Sequence, residues 1–469
     1  MTDTTRLLLL AAENSPDDEV SLGITLFFAA ILVAMIACLG LEEKLHAKKS
    51  LIVGSFATVC LLLGAWLLPL PIGPVVLPGG HEVRLPVYIP AIDWGVIAII
   101  LGSSLFVDVT AKSGLFGFIA ITLTKASRGD PLRLLWVYGV MTVVFSAVLN
   151  NVTAMIIVGS LSGVSLKKLG KGELLLGFLI IEALLTNVGG LLTLISSVPN
   201  IIIGTTAGIS FVEFFIKAGP YVAVVTVVTI MLGAKIFGIR RLVGAEEQAR
   251  AAFLVEGFDE NDGIESRGFF YFAAFMLVAF IATIATTSVL PVVSDLGMGF
   301  VAMAFAGIML LRYKHEVNRF YQALDWDLLG FFAALFAVIS IMEHARVLAL
   351  IGTGLEHLIA LGETLGPASI LVSSAVASSV TDNIPLAAML AKIFAALETP
   401  RDSTLWWAVI FGANLGGNLT PIGSASTLVA VTIIHKYELP LSFVGFIRKA
   451  LPIAAMQIAI ALLYVLIAL

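Results

Sequence analysis

Residues 187–197 read Asn-Val-Gly-Gly-Leu-Leu-Thr-Leu-Ile-Ser-Ser, and residues 414–424 read Asn-Leu-Gly-Gly-Asn-Leu-Thr-Pro-Ile-Gly-Ser. Asn187, Gly189, Gly190, Thr193, Ile195 and Ser197 recur as Asn414, Gly416, Gly417, Thr420, Ile422 and Ser424, all 227 positions on. These matches at one shift mark an internal repeat. It extends outward on both sides of the motif. Ile92-Asp93-Trp94 returns as Leu324-Asp325-Trp326 at a shift of 232, and Asn151 falls on Asn383 at that same shift. The chain therefore reads as two halves of one plan.

The setting of the repeat is apolar. Of 469 residues, 59% are hydrophobic and 13% charged, and the mean hydropathy is +1.04. Soluble domains carry about 25% charged residues, so this chain lacks the polar surface to cover a water-soluble globule. Its apolar residues come in blocks near the length that spans a hydrocarbon core of roughly 30 Å. Spans are expected at 22–41, 51–70, 93–111, 174–206 (broken), 219–238, 269–290, 297–311, 326–342, 404–433 and 450–469, with shorter apolar helices at 114–126 and 345–361. The 42 Gly and 17 Pro suit membrane helices. The net charge of −5 offers no basic face for nucleic acid. Cys38 and Cys60 lie in apolar segments and read as packing residues. The run Leu7–Ala12 is too short for a signal-peptide core, so no cleavage is expected.

Lys and Arg in short loops set orientation. Lys44, Lys48 and Lys49 follow the first span; Arg128 and Arg133 precede the stretch 134–164, and Lys167, Lys168 and Lys171 follow it; Arg240 and Arg241 end the 219–238 span; Arg312, Lys314 and Arg319 follow the 297–311 span. One cytoplasmic assignment accommodates all of these and puts the N-terminus outside. Both ends of 134–164 are then on the same side, so the stretch is predicted to be a re-entrant hairpin with its tip at Leu149–Thr153. The stretch 367–396 is expected to enter from the other side with its tip at Ser379–Pro385. An odd number of crossings per half makes the repeats inverted. The expected organisation is an extracytoplasmic tail at 1–21, a first membrane repeat at 22–242, a cytoplasmic linker at 243–268 read as a simple solvated loop, and a second repeat at 269–469. The fold class is an all-α polytopic membrane protein of two inverted repeats, each with a re-entrant hairpin and a broken helix.

Four polar clusters interrupt the apolar sequence: Asn150-Asn151 with Thr153, Asn187 to Asn200, Thr381-Asp382-Asn383, and Asn414 to Ser426. Unpaired polar groups are costly in hydrocarbon, so these should face protein or a wet cavity. Gly189-Gly190 and Gly416-Gly417 permit unwinding, and Pro199 and Pro421 favour breaks. At the tips, Asn151 and Thr153, or Thr381 and Asp382, are good N-caps, with Pro385 in the first turn. A helix start favours an anion or a polar oxygen ligand; amides, hydroxyls and carbonyls nearby can instead hold Na+. Among buried acids, Asp382 and Glu182 are the proton-coupling candidates. Asp108 and Glu343 lie near helix ends and read as interfacial anchors.

Several motifs carry a family resemblance: Glu43-Lys44-x-His46, Asn151-Val152-Thr153, Thr186-Asn187-x-Gly189-Gly190-x-x-Thr193-x-Ile195 with Pro199-Asn200, Ser379-x-Thr381-Asp382-Asn383-x-Pro385, and Gly412-Ala413-Asn414-x-Gly416-Gly417-Asn418-x-Thr420-x-Ile422-Gly423. With these the chain resembles the ion transporter superfamily. It is most similar to the arsenite permease, P protein and D-type sodium/proton antiporter group, with citrate and dicarboxylate carriers further off. The resemblance implies that substrate and coupling ions sit at the tips and unwound helices. It thus points to Asn150, Asn151, Thr153, Asn187, Gly189, Gly190, Thr193, Ser197, Asn200, Thr381, Asp382, Asn383, Asn414, Gly416, Gly417, Asn418, Thr420 and Ser424. It also implies a scaffold and a transport domain, elevator-type movement and a homodimer. Two acids usual in relatives are missing from the first half: Asn150 stands where they often have Asp, and Ser196-Ser197-Val198-Pro199-Asn200 replaces Gly-Asp-Pro-Pro-Asn.

The function expected is secondary active transport of a small inorganic or carboxylate anion, or an arsenite-like solute, coupled to Na+ or H+, in a bacterial or archaeal plasma membrane. No cofactor is expected beyond the coupling ion, and the partners are lipid and the small solute. A sodium/proton antiporter is the nearest alternative. An intramembrane metalloprotease would need His-Glu-x-x-His, and His81-Glu82 and His315-Glu316 lack the second His. A channel fits opposed hairpins less well than alternating access does.

Overall fold

The computed structural model describes residues 20–70, 74–76 and 82–469. The expected N-terminal tail lies almost wholly outside these, as does His81. The described chain is helical except for a short antiparallel ribbon, Pro74–Val76 with Glu82–Arg84, in which Val75 faces Val83. Ten of the described helices are long and apolar enough to cross a membrane. Large apolar side chains such as Phe275, Val278 and Ile467 point outward, between 68% and 82% exposed. Such faces require an apolar surrounding, and the protein is integral to the membrane.

By internal contacts the chain forms two units. The smaller takes in the described residues up to Asp93 together with Gly330–Gly354. In it, Lys49–Leu67 packs on the later part of Trp326–His344, where Gly64 lets Ile341 approach; an added Cβ would lie 3.1 Å from the Ile341 side chain. Cys38 and Cys60 belong to this unit and are free thiols.

The larger unit, Trp94–Leu329 with Leu355–Leu469, holds both polar hairpins and both broken helices. The first hairpin is Pro131–Val148 and Asn151–Lys168. Tyr138 Oη and Ser165 Oγ, 27 residues apart in sequence, hydrogen-bond at 2.7 Å. A continuous helix would separate them by about 40 Å, so the two arms run back along each other. The second hairpin is Leu365–Val380 and Asn383–Ala396. Its first arm runs parallel to Thr404–Gly416: Leu371 lies against Gly412, and Ser378 against Gly416 further on. Phe394, near the end of its second arm, stacks edge-on against Trp406 at the start of that helix, 5.5 Å between ring centres. The second arm has therefore turned back as well.

Each hairpin leads into a broken helix: Leu175–Gly189 then Val198–Thr206, and Thr404–Gly416 then Ala425–Lys436. Both interruptions fall where the Gly-Gly pairs were expected to unwind the chain. A long helix follows in each half, Phe211–Ile236 and Phe443–Ala468, of 26 residues each. These begin earlier than the sequence reading placed them. The expected spans opened at 219 and 450, but the helices start at Phe211 and Phe443, capped by Ser210 and Ser442, and Pro220 and Pro452 lie inside them. Interior Pro is tolerated in membrane helices because neighbours satisfy the freed backbone groups.

The linker also departs from expectation. It is not a simple solvated loop: Ala245–Glu256 is helical, and Ala251 and Val255 are buried. Ala, Glu, Gln and Arg are strong helix formers, and Glu246 and Glu247 occupy the favourable first turn. The linker reaches back to the first half through four contacts. Lys112 bonds Glu265 at 3.0 Å, Lys171 bonds Glu247 at 2.9 Å, Lys168 donates to Gly257 O at 3.1 Å, and Lys125 pairs with Glu260.

Candidate functional site

The repeat is legible in contacts as well as in sequence. Ser146 Oγ donates to Thr186 O at 2.6 Å, and Ser378 Oγ donates to Ala413 O at 2.6 Å. Thr193 Oγ1 donates to Ala147 O at 2.6 Å, and Thr420 Oγ1 donates to Ser379 O at 2.6 Å. A Cβ on Gly189 would strike Val143 O, and one on Gly416 would strike Ala375 O. In each pair the hairpin residues differ by 232 and the broken-helix residues by 227. Each broken helix thus grips its hairpin just before the tip. The tip's position then depends on a small residue and a hydroxyl.

The tips are helix starts. Asn150 caps the second arm of the first hairpin, its Oδ1 accepting from Thr153 N at 2.7 Å. Asp382, 232 residues on, caps the second arm of the other, accepting from Ile384 N at 3.0 Å. The first cap is therefore Asn150 rather than Asn151 or Thr153. Asn151 instead accepts from Ser146 Oγ at 2.7 Å and turns its amide toward Asn187 Oδ1 at 3.4 Å. Thr381 bonds back to Ala377 O at 2.8 Å within its own arm.

The two breaks cross-link the halves. Asn187 Nδ2 donates to Asn418 Oδ1 at 2.8 Å and Ser424 Oγ at 2.9 Å, while its Oδ1 accepts from Ser426 at 3.1 Å. Asn414 Oδ1 accepts from Ser197 Oγ at 2.8 Å, and its amide donates to Asn200 Oδ1 at 2.8 Å. Asn200 in turn donates to Gly190 O at 2.6 Å, and Asn418 donates to Gln457 Oε1 at 2.7 Å. These amides are buried and bonded, so they hold the breaks rigid.

A cavity of about 330 Å³ lies where these parts meet. Asn150, Asn151, Thr153, Asn187, Ser197, Asn383 and Ser424 line it. Four helix N-termini open onto this space: those beginning at Asn151, Val198, Asn383 and Ala425. Exposed N–H groups and the positive dipole end make each a receptor for negative or oxygen-bearing groups. The other expected residues stand behind the wall. Gly189, Gly190, Gly416 and Gly417 provide close backbone approach, Thr193 and Thr420 anchor the tips, and Asn200, Asn414 and Asn418 brace the breaks. Asp382 acts as a cap. Glu182 is fully buried away from the cavity, bonded to Ser162, with Oε2 lacking a partner among the described residues. Sequence reasoning missed Ser103, Ser104 and Asp108 on one wall and Asp325 on another. A polar pair four residues apart, Ser104 and Asp108, in a largely apolar helix was the available signal.

Residues 46–412 match the citrate transporter family. The chain belongs to that family. Its relatives include the 46 kDa membrane protein of Mycobacterium leprae, 32% identical over 80% of this chain and 86% of that one. The P protein of Mus musculus is 25% identical over 80% of this chain; the match spans about half, 54%, of the mouse protein. Among solved structures, the YdaH transporter of Alcanivorax borkumensis superposes with a TM-score of 0.60 at 14% identity, covering 89% of this chain and 98% of that one. MtrF of Neisseria gonorrhoeae gives 0.58 at 13% identity, covering 94% and 97%. These likenesses establish a shared fold. The ion transporter resemblance read from the motifs holds, with the citrate carriers nearer than the motifs alone placed them. The protein is a membrane transporter, not an enzyme.

Proposed function

We propose that the chain is a secondary active transporter that moves a small inorganic or carboxylate anion, or an arsenite-like solute, coupled to Na+ or H+. The observation that carries this reading is the convergence of four helix N-termini on one cavity of about 330 Å³. Partial positive charge from four directions suits an oxyanion or carboxylate. The two halves are taken as inverted repeats, related by reciprocal contacts such as Asn187 with Ser424 and Ser197 with Asn414. Midplane sites between such repeats are a recurring plan of secondary transporters. Movement is elevator-type alternating access, in a homodimer, with the N-terminus outside and residues 243–268 as a cytoplasmic linker. The setting is a bacterial plasma membrane, in keeping with the mycobacterial relatives. Na+ is placed at the hairpin tips, and Asp382 and Glu182 are the proton-coupling candidates.

Proteoliposomes provide the test. Labelled citrate, a dicarboxylate, sulfate and arsenite are offered under an inward Na+ or proton gradient. Uptake of one solute that stops when both gradients are collapsed is expected. Uptake that continues unchanged refutes coupling. The second reading, a sodium/proton antiporter, is favoured by the cavity wall itself, which among the described residues carries two aspartates and no Lys, Arg or His. Proton release on adding Na+ or Li+ to acid-loaded vesicles, with no solute present, would support it.

A further inference from the structure

Helix Trp94–Lys112 brings a carboxylate into the cavity. Ile100, Ser104 and Asp108 recur every four residues and share the cavity-facing side. Opposite them the helix is sealed: a Cβ on Gly102 would lie 2.5 Å from the Ala302 backbone. Among the described residues, neither Asp108 nor Ser104 has a side-chain hydrogen bond or ion pair. Asp108 also stands in the last two turns of its helix, at the negative end of the dipole, the unfavourable end for an anion.

The cations nearby are engaged elsewhere. Lys112, one turn on, bonds Glu265 at 3.0 Å; Lys125 of the next helix pairs with Glu260; Arg319 bonds Glu316 at 3.3 Å. Of the other helices packed on this one, Pro291–Arg312 carries Asp295 and Arg312, and Arg267–Thr286 carries Arg267 at its start. Gly299 meets Gly95 and Ala98 while Ala302 meets Gly102, so Pro291–Arg312 runs parallel and Arg312 falls level with Lys112, beyond Asp108. Val198–Thr206 brings no charge. On the cavity wall the other carboxylate is Asp325, whose Oδ1 accepts from Leu328 N at 2.9 Å.

The repeat gives this asymmetry a meaning. At the shift of 232, Asp108 falls on Ser340, and Asn150 falls on Asp382. The second half has its acid in the tip cap, whereas the first tip has a neutral amide. Asp108 returns one negative charge to the first half from across the cavity. We propose that Asp108 is the binding carboxylate for a monovalent coupling cation, Na+ or H+, in the first half of the site, with the Ser104 and Thr153 hydroxyls as neighbouring oxygen donors. A half-buried carboxylate with no partner among the described residues gains most from a cation that shares its cavity. This rests on the transporter reading only for the word coupling; the binding is measured without any transported solute.

The experiment uses the full chain, purified in detergent, as wild type, Asp108→Asn and Asp108→Glu, each checked as monodisperse. Two readouts separate the two cations. Radioactive sodium binding at alkaline pH reports Na+. Infrared difference spectra between acid and alkaline pH report a titrating carboxyl group. If the site takes Na+, wild type binds sodium saturably, Asp108→Asn weakens it by at least about tenfold, and Asp108→Glu restores part of it. If the site takes H+, sodium does not bind, and a carboxylic C=O band of the wild type is missing from Asp108→Asn. Should Asp108→Asn fail to fold, Ser104→Ala is expected to weaken sodium binding or shift the titration of that band. Wild-type behaviour in the variants that fold, or neither signal in wild type, overturns the proposal. Vesicle uptake that responds to neither gradient would count against the transporter reading instead, and would leave the cation-binding result standing.

Discussion

Asn187 and Ser424 hydrogen-bond at 2.9 Å although 237 residues separate them. Their counterparts repeat the bond with roles exchanged: Ser197 donates to Asn414 at 2.8 Å. Contacts in which i meets j′ and j meets i′ are what a two-fold axis between two copies produces.

Breaking one of these bonds should weaken the whole junction. Asn414→Ala leaves Ser197 Oγ and Asn200 Oδ1 without their shared partner in a buried setting. Each orphaned buried group costs about 1–3 kcal/mol. A lower melting temperature is expected from tryptophan fluorescence in detergent. A double-mutant cycle of Ser197→Ala with Asn414→Ala should give a coupling of about 0.5–3 kcal/mol. Additive effects would mean the contact carries no energy.

The glycine against each hairpin should resist any side chain. A Cβ at Gly189 would lie 2.6 Å from Val143 O and 2.9 Å from Ser146 Cβ. Gly416 faces Ala375 O and Ser378 in the same way. Overpacking of this sort costs about 1–3 kcal/mol. Gly189→Ala and Gly416→Ala are expected to lower stability and to displace the tips, read as reduced solute affinity. Gly170→Ala is not a matched control because Gly170 has φ of +68°; Gly117, with open space around it, is. Gly117→Ala should change neither.

Acid should release the linker. Hydrogen bonding to Lys125 holds the Glu260 carboxyl below its ordinary value, and Lys112 does the same for Glu265. A carboxylate with a lowered folded-state pKa stabilises fully above the unfolded value, about 4.3 for Glu, and loses that contribution as pH falls through the folded value. Protease cleavage within 243–267 is therefore expected to accelerate as pH drops through the carboxylate range, using an acid-active protease. Lys125→Ala should raise cleavage at neutral pH and flatten the pH dependence. Cleavage that ignores both changes would show that these pairs do not hold the linker.

Much of this architecture was legible in the sequence, for identifiable reasons. Lys and Arg on both sides of 134–164 betrayed a hairpin, because basic residues stay on one face of the membrane. Gly189-Gly190 and Gly416-Gly417 located the breaks, because the motif recurs at a constant shift. The two long helices begin eight and seven residues before the expected spans, at Phe211 and Phe443, because Pro220 and Pro452 are tolerated inside membrane helices. The linker helix was missed because its charged composition hides two inward positions, Ala251 and Val255. Asp108 was read as an anchor because position near a helix end says nothing about which face a side chain takes; only packing of the opposite face on Ala302 decides that.

The central claim is that both hairpin tips form one binding site. Gradient-driven uptake of whichever solute the wild type carries, measured for Asn151→Ala and Asn383→Ala, tests it most directly. These side chains line one cavity from opposite hairpins. Each substitution is predicted to raise the half-saturating solute concentration by at least about tenfold, near 1.4 kcal/mol, in a protein that remains folded. An unchanged half-saturating concentration in either variant would contradict the claim.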